Sequence, residues 1–308
     1  MNTAVLLMGP TASGKTGHAL SLCKRFPFDV ISVDSALVYR GMDIGTAKPG
    51  AKTLARVPHR LVDIRDPEES YSAGEFVRDA HREMAAIFAA GRIPLLVGGT
   101  MMYFRALTEG IAELPAGDAT IRRDIDAFAE QSGWPAVHRE LAAVDAVAAA
   151  RINPNDSQRL QRALEVYRVS GKTLTAWQEQ TAAPLPDIRY LKIALQIEPR
   201  ATLHARIAQR LEGMVADGFE DEVRRLRERP ELTRDHPSMR AVGYRQLWQY
   251  LDGELSLEEA QQRALFATRQ LAKRQLTWLR SERSIETVEA LEAAAIDSIS
   301  RYLVRHLV

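Results

Sequence analysis

Apolar positions along this chain fall into short runs separated by longer amphipathic stretches. The runs are Ala4–Met8, Val30–Val33, Arg60–Ile64, Ile93–Val97 and Leu191–Ile197. Continuous apolar runs alternating with helical spacing predict an α/β fold, a parallel sheet covered by helices on both faces. Lys15–Arg25 reads as the first helix. Ser72 and Glu75 form an S-x-x-E capping box, which opens a helix to about Ala90, and Gly91 stops it. From about Ile111 to Asp187 the strand pattern disappears, and helices are expected at Ala119–Glu130, Trp134–Val144, Asp145–Ala150 and Ser157–Ser170. The pattern therefore predicts a discontinuous core, residues 1–112 and 188–308, interrupted by an all-helical domain at 113–187. Beyond the fifth strand, Pro199 and Thr202 open a helix to about Ala216. A second capping box, Ser256 and Glu259, opens a long helix through about Arg280, and Glu289–Ala295 is expected as a surface helix.

Between the first strand and the first helix stand Gly9-Pro10-Thr11-Ala12-Ser13-Gly14-Lys15-Thr16. This is G-x-x-x-x-G-K-T in the strand–loop–helix setting that gives the motif meaning. Backbone N–H groups of such a loop converge on a phosphate, and the helix N-terminus adds positive dipole. Lys15 adds a point charge, and Thr16 offers a hydroxyl to Mg²⁺. The expected fold is thus a P-loop NTPase-like parallel sheet core with an inserted all-helical domain.

Two further strand ends belong to the same rim, because ligands of open parallel sheets bind beyond the carboxyl ends of the strands. The second strand ends in Val33-Asp34-Ser35, where a carboxylate can take a proton from an attacking nucleophile. A helix cap or a Mg²⁺ ligand is the plainer role for Asp34. The fourth strand runs into Gly98-Gly99-Thr100, where nucleotide hydrolases carry an acid that holds Mg²⁺. That missing acid, and the lack of an Asn-Lys-x-Asp pattern, argue against a motor ATPase or a GTPase switch. The loop is better read as holding a phosphate that leaves.

Net charge is only +1, so there is no global basic signature for nucleic acid. The cations are unevenly chosen, however, at 34 Arg against 7 Lys. They cluster with Gln and Tyr in Ser157–Arg168, in Arg240–Arg245 and along Arg263–Arg283. Arg and Gln forks suit phosphates and base edges, although each cluster alone also fits a solvated helix face. The single cysteine, Cys23, excludes an internal disulfide, no run approaches about 18 apolar residues, and no signal peptide is evident. A cytoplasmic monomer with no membrane contact is expected.

The chain resembles the bacterial tRNA dimethylallyltransferases (tRNA isopentenyltransferases). The resemblance extends to about residue 283. It is carried by Gly9–Thr16, Asp34–Pro49, Gly98-Gly99-Thr100, Gln161–Val166, Arg240–Arg245 and Thr268–Gln275. It implies transfer of a dimethylallyl group from dimethylallyl diphosphate to N6 of the tRNA adenine 3′ to the anticodon, with Mg²⁺ required. Gly9, Pro10, Thr11, Ala12, Ser13, Gly14, Lys15 and Thr16 would then bind the diphosphate, Thr16 meeting the metal. Asp34 would be the general base, Thr100 would lie beside the adenine, and Arg210 rather than Arg206 would meet the diphosphate. Asp34, Ser35, Ala36, Leu37, Thr100 and Arg122 would contact tRNA. So would Gln158, Arg159, Leu160, Gln161 and Arg162, with Arg240, Ala241, Val242, Gly243, Tyr244 and Arg245. The helical insertion would grip the anticodon arm. One cysteine excludes the zinc finger of larger relatives, and the tail after about residue 284 matches no motif.

Two other readings share parts of this pattern. An isopentenyltransferase acting on free adenine nucleotides would share the loop and Asp34, but needs neither the insertion nor the Gln/Arg clusters. A non-catalytic, nucleotide-dependent RNA-binding module would need no Asp34.

Overall fold

The computed structural model describes residues 2–180 and 187–307. Six strands among them form one sheet: β1 (Asn2–Met8), β2 (Phe28–Val33), β3 (His59–Arg60), β4 (Ile93–Gly98), β5 (Ile188–Gln196) and β6 (Ile285–Glu289). Their order is β3-β2-β4-β1-β5-β6, and every pairing is parallel. The helices are α1 (Lys15–Cys23), α2 (Ala51–Arg56), α3 (Ala73–Ala89), α4 (Met101–Glu109), α5 (Ala119–Ser132), α6 (Trp134–Val144), α7 (Ala146–Arg151), α8 (Ser157–Ser170), α9 (Leu174–Glu179), α10 (Arg200–Ala216), α11 (Phe219–Arg227), α12 (Tyr244–Leu251), α13 (Leu257–Ser281) and α14 (Ala295–Leu307).

The central strands are apolar because both of their faces are covered. Val5, Leu7, Val30, Leu95, Val97, Ile193 and Leu195 form one cluster with Ala19 and Leu22 of α1 and with Leu203 and Ile207 of α10. On α3, Phe76, Ala80, Met84 and Ile87 are buried at helical spacing, and that helix packs on β2 and β4. Both expected capping boxes form. Ser72 accepts from the Glu75 N–H while Glu75 accepts from the Ser72 N–H, and Ser256 and Glu259 do the same.

Two expectations fail. The run Arg60–Ile64 is not a full strand, since β3 stops at Arg60. Leu61 and Asp63 sit at φ 62° and 55°, in the left-handed region. The chain is turned there by side-chain and backbone bonds: the Asp63 carboxylate pairs with Lys48 at 2.5 Å, and the Ile64 N–H donates to Val38 at 2.9 Å. The second failure is the surface helix over Glu289–Ala295. Residues 285–289 add a sixth strand to the open edge of β5, and the helix begins only at Ala295. The unassigned tail thus completes the sheet. Its α14 buries Ile299 and Leu303, and Asp297 pairs with Arg25 just past α1 at 2.5 Å.

Backbone contacts divide the chain into two units, Met1–Thr108 with Leu185–Val308, and Glu109–Pro184. The second unit has its own core of Ile125, Val137, Leu141, Ala148, Leu160 and Leu164. Asp145, expected as a helical residue, is the cap of α7: it accepts from the Ala148 N–H at 3.0 Å and from Thr175 on α9, a helix the sequence pattern misses.

Candidate active site

The phosphate loop leaves β1 and enters α1 through Gly14, at φ 87° in the left-handed region. No side chain caps α1, so its first N–H groups stay open to an anion. Thr11, Ala12, Gly14, Lys15 and Thr16 line a cavity of about 540 Å³. Also on its wall are Asp34–Leu37 from the end of β2, Thr100 from the end of β4, Arg210 from α10, and Arg240–Tyr244. Most core-unit residues picked out in the sequence therefore converge; Gly9, Pro10 and the buried Ser13 of the loop lie outside the cavity lining, as does the exposed Arg245.

Asp34 is half-buried, and its Oδ1 accepts from the Ala36 N–H at 2.8 Å and the Leu37 N–H at 3.3 Å. That turn fixes the carboxylate and leaves Oδ2 for an incoming proton. Thr100 ties two strand ends together. Its N–H donates to Val33 at 3.3 Å, and its Oγ1 accepts from the Ser35 N–H at 3.1 Å. Such closeness of β2 and β4 requires glycine at 98, where a Cβ would stand 1.9 Å from the Val33 carbonyl oxygen.

Lys15 donates to the carbonyls of Gly9 and Pro10 at 3.0 and 2.7 Å. Burial, and next the charge of Arg210, pull its ammonium down to about 7, against a smaller upward pull from Asp34. Arg210 donates to the Thr46 carbonyl at 3.2 Å, and burial lowers its own pKa while Asp34 raises it. Arg206, one turn earlier, donates instead to the Ala12 carbonyl at 2.9 Å and braces the loop from outside the cavity lining. Arg210 is the arginine grouped with Lys15 and Asp34.

Two expected tRNA contacts are fully buried from solvent. Tyr244 is fully buried and donates to Glu222 at 2.5 Å. Leu160 is fully buried in the core of the helical unit, because its helix turns that face inward. On the same helix Gln158 and Arg159 are exposed, and Gln161 donates to Asp126 at 2.6 Å. Arg122 and Arg162 both bond the fully buried Glu165, at 2.6 and 2.5 Å. Burial pushes the Glu165 carboxyl up, but Arg122, Arg162 and the Asp118 N–H together hold it below its ordinary value.

Sequence reasoning assigned no role to Glu222 or Gln275. Glu222 is buried and accepts N–H bonds from Asp43, Ile44 and Gly45 at 3.0, 2.7 and 3.1 Å. It anchors the segment that carries Thr46, the partner of Arg210. Ser32 and His59 also line the cavity, and their Oγ and Nε2 atoms are buried without partners. Ser32 was findable, since it lies two residues before Asp34 on one face of a strand.

Among the described residues no three carboxylate, imidazole or thiol side chains gather to hold a metal, and no helix is long and apolar enough to cross a membrane.

Comparisons with known proteins show the family. A family model described as IPP transferase matches residues 37–282, and one described as isopentenyl transferase matches residues 2–70. A tRNA dimethylallyltransferase of Thiobacillus denitrificans is 57% identical over 94% of this chain and 92% of its own. The crystal structure of a tRNA isopentenylpyrophosphate transferase from Bacillus halodurans superposes with TM-score 0.73 at 36% identity, covering 99% of this chain and 96% of that one. Its counterpart from Staphylococcus epidermidis gives 0.71 at 30% identity, over 99% and 100%. The chain belongs to the IPP transferase family.

Proposed function

We propose that this protein transfers a dimethylallyl group from dimethylallyl diphosphate to N6 of the adenine 3′ to a tRNA anticodon, releasing diphosphate. The observation that carries the reading is the shared cavity: residues of the phosphate loop, Lys15 and Arg210 line the same cavity as Asp34 and Thr100. Its relatives' names supply the substrate class.

An adenine amino group is a poor nucleophile because its lone pair is delocalised into the ring. Asp34 accepts its proton as attack on the allylic carbon proceeds. The loop N–H groups, Lys15 and Arg210 bind the diphosphate, whose bridging oxygen gains charge as the C–O bond breaks. Fixed cations stabilise that charge more than they stabilise the ground state. The allylic carbon becomes cation-like, so the apolar wall of Ile207, Leu211, Met214 and Leu271 protects it from water. The adenine leaves its stack to reach the cavity, which costs a few kcal/mol.

Thr16 lines the cavity at the start of α1, and its hydroxyl would be the side-chain ligand of Mg²⁺. A donor set without an acidic cage suits an ion whose other ligands are phosphate oxygens and water. When bound, Mg²⁺ supplies neutralisation of the departing diphosphate. Arg159 and Gln158 on the exposed face of α8 in the helical unit, and separately the exposed Arg240 of the cavity lining in the sheet unit, are the residues assigned to tRNA.

The deciding assay incubates the protein with Mg²⁺ and labelled dimethylallyl diphosphate, with either tRNA or AMP. Label is expected on tRNA alone. Label on AMP and not tRNA, or ATP hydrolysis without transfer, refutes the proposal.

A further inference from the structure

Gln275 is a neutral, buried side chain on α13 whose amide is used at both ends. Its Oε1 accepts from the Thr11 N–H at 2.8 Å, and its Nε2 donates to the Gly99 carbonyl at 2.9 Å. Thr11 belongs to the phosphate loop. Gly99 precedes Thr100, which is bonded to Val33 and Ser35 on either side of Asp34. One side chain therefore joins the donor half of the cavity to the acceptor half.

We infer that Gln275 is a positioning residue, which sets the spacing between the diphosphate cradle and the Asp34–Thr100 rim. The inference rests on the transfer reaction proposed above. Chemistry narrows the choice at this position to glutamine. The bridge needs one acceptor and one donor at the end of a long stem. A carboxylate lacks the donor, a lysine or arginine lacks the acceptor, and asparagine is one methylene short. The neighbouring residue is shaped to the same contact: a Cβ on Gly99 would stand 2.4 Å from Gln275 Nε2. Leu271, Arg274 and Trp278 of the same helix line the cavity, so α13 presents its wall residues and the bridge from one face.

Attack on the allylic carbon needs the amine and the leaving diphosphate on opposite sides of a short, fixed distance. Loosening one half against the other lowers the reaction rate while both substrates still bind. The test compares wild type with Gln275→Glu, which keeps volume and acceptor, and with Gln275→Ala. Both variants are expected to keep tRNA affinity and tRNA KM within about two-fold, while kcat falls by at least about ten-fold. In parallel, deuterium exchange at the Thr11 amide is expected to quicken by at least about ten-fold in Gln275→Ala. Should Gln275→Ala fail to fold, Gln275→Glu carries the kinetic test.

A Gln275→Glu enzyme with wild-type kcat overturns the inference, and so does a defect confined to tRNA KM. Unchanged Thr11 exchange in a folded Gln275→Ala protein overturns it as well. A wild-type protein that transfers nothing to tRNA counts against the reaction itself, while the exchange measurement still reads the bridge.

Discussion

Tyr244 donates a hydrogen bond from its phenol to Glu222 at 2.5 Å, and that same carboxylate accepts from three successive backbone N–H groups of residues 43–45. Burial, then the Glu222 charge, keeps the phenol protonated far above its usual range. The pair is thus a fixed strut between α11, α12 and the segment carrying Thr46. Tyr244→Phe removes one of four donors to a buried carboxylate and is expected to lower stability by about 1–3 kcal/mol. Thermal denaturation reads the change. An unaltered midpoint would assign Tyr244 a surface role after all.

Asp34 uses Oδ1 to hold its own turn, a contact an asparagine can keep. Asp34→Asn is therefore expected to leave tRNA affinity intact while kcat drops about 10²–10⁴-fold. Single-turnover transfer measures the drop. Near-normal turnover removes Asp34 as the base.

Lys15 stands at about 7 in the empty loop, with burial as the main cause. Above that pH it is mostly neutral, and an arriving diphosphate favours the charged form. Binding is expected to take up a proton at pH 8, and affinity should weaken as pH rises from 7 through the raised pKa of the bound state. Calorimetry with pyrophosphate in buffers of different ionisation enthalpy counts the protons. Lys15→Met corrects for protons taken by pyrophosphate itself, and equal uptake in the two proteins rules Lys15 out as the source.

The two arginines of α10 separate by partner. Arg210 shares the cavity with Lys15 and Asp34, whereas Arg206 bonds the Ala12 carbonyl behind the loop. Arg210→Ala should lower kcat by about 10²-fold or more, in the range of lost charge stabilisation. Arg206→Ala should act more weakly, through pyrophosphate affinity. Equal kcat losses would show that both reach the diphosphate.

Adjacent residues of α8 should behave oppositely. Arg159→Ala is expected to reduce the salt slope of tRNA binding by about 1 with stability unchanged. Leu160→Ala empties part of a buried core and should cost about 2–5 kcal/mol of stability. Denaturation and salt titrations of both variants check the split, and a flat slope change for Arg159 makes it an ordinary surface residue.

The strands β1, β2, β4 and β5, both capping boxes and the convergence of Lys15, Thr16, Asp34 and Thr100 were legible because each depends on local pattern or on the rim rule for parallel sheets. What the sequence hid is long-range pairing. Arg60–Ile64 reads as apolar and extended, but Lys48 fifteen residues earlier draws Asp63 aside. The Ile285–Glu289 strand is too short to announce itself, and forms because β5 has an unpaired edge. Tyr244 and Leu160 carried the chemistry and company of binding residues, and only packing shows that they face inward. Gln275 lay inside a recognised segment, yet its two partners are 264 and 176 residues away.

The register of β1 also bears on how the molecule is made. Asn2 pairs with Ile188 and Met8 with Ala194, so the middle of the sheet waits for a partner translated long after it. Closing so long a loop is entropically expensive and slow. The intervening helical unit, built from contacts close in sequence, can form during that wait and replace much of the loop with a folded body. On the ribosome, β1, β2 and β4 and then the helical unit are all available before β5 arrives to seal the remaining edge of the strand that carries the phosphate loop.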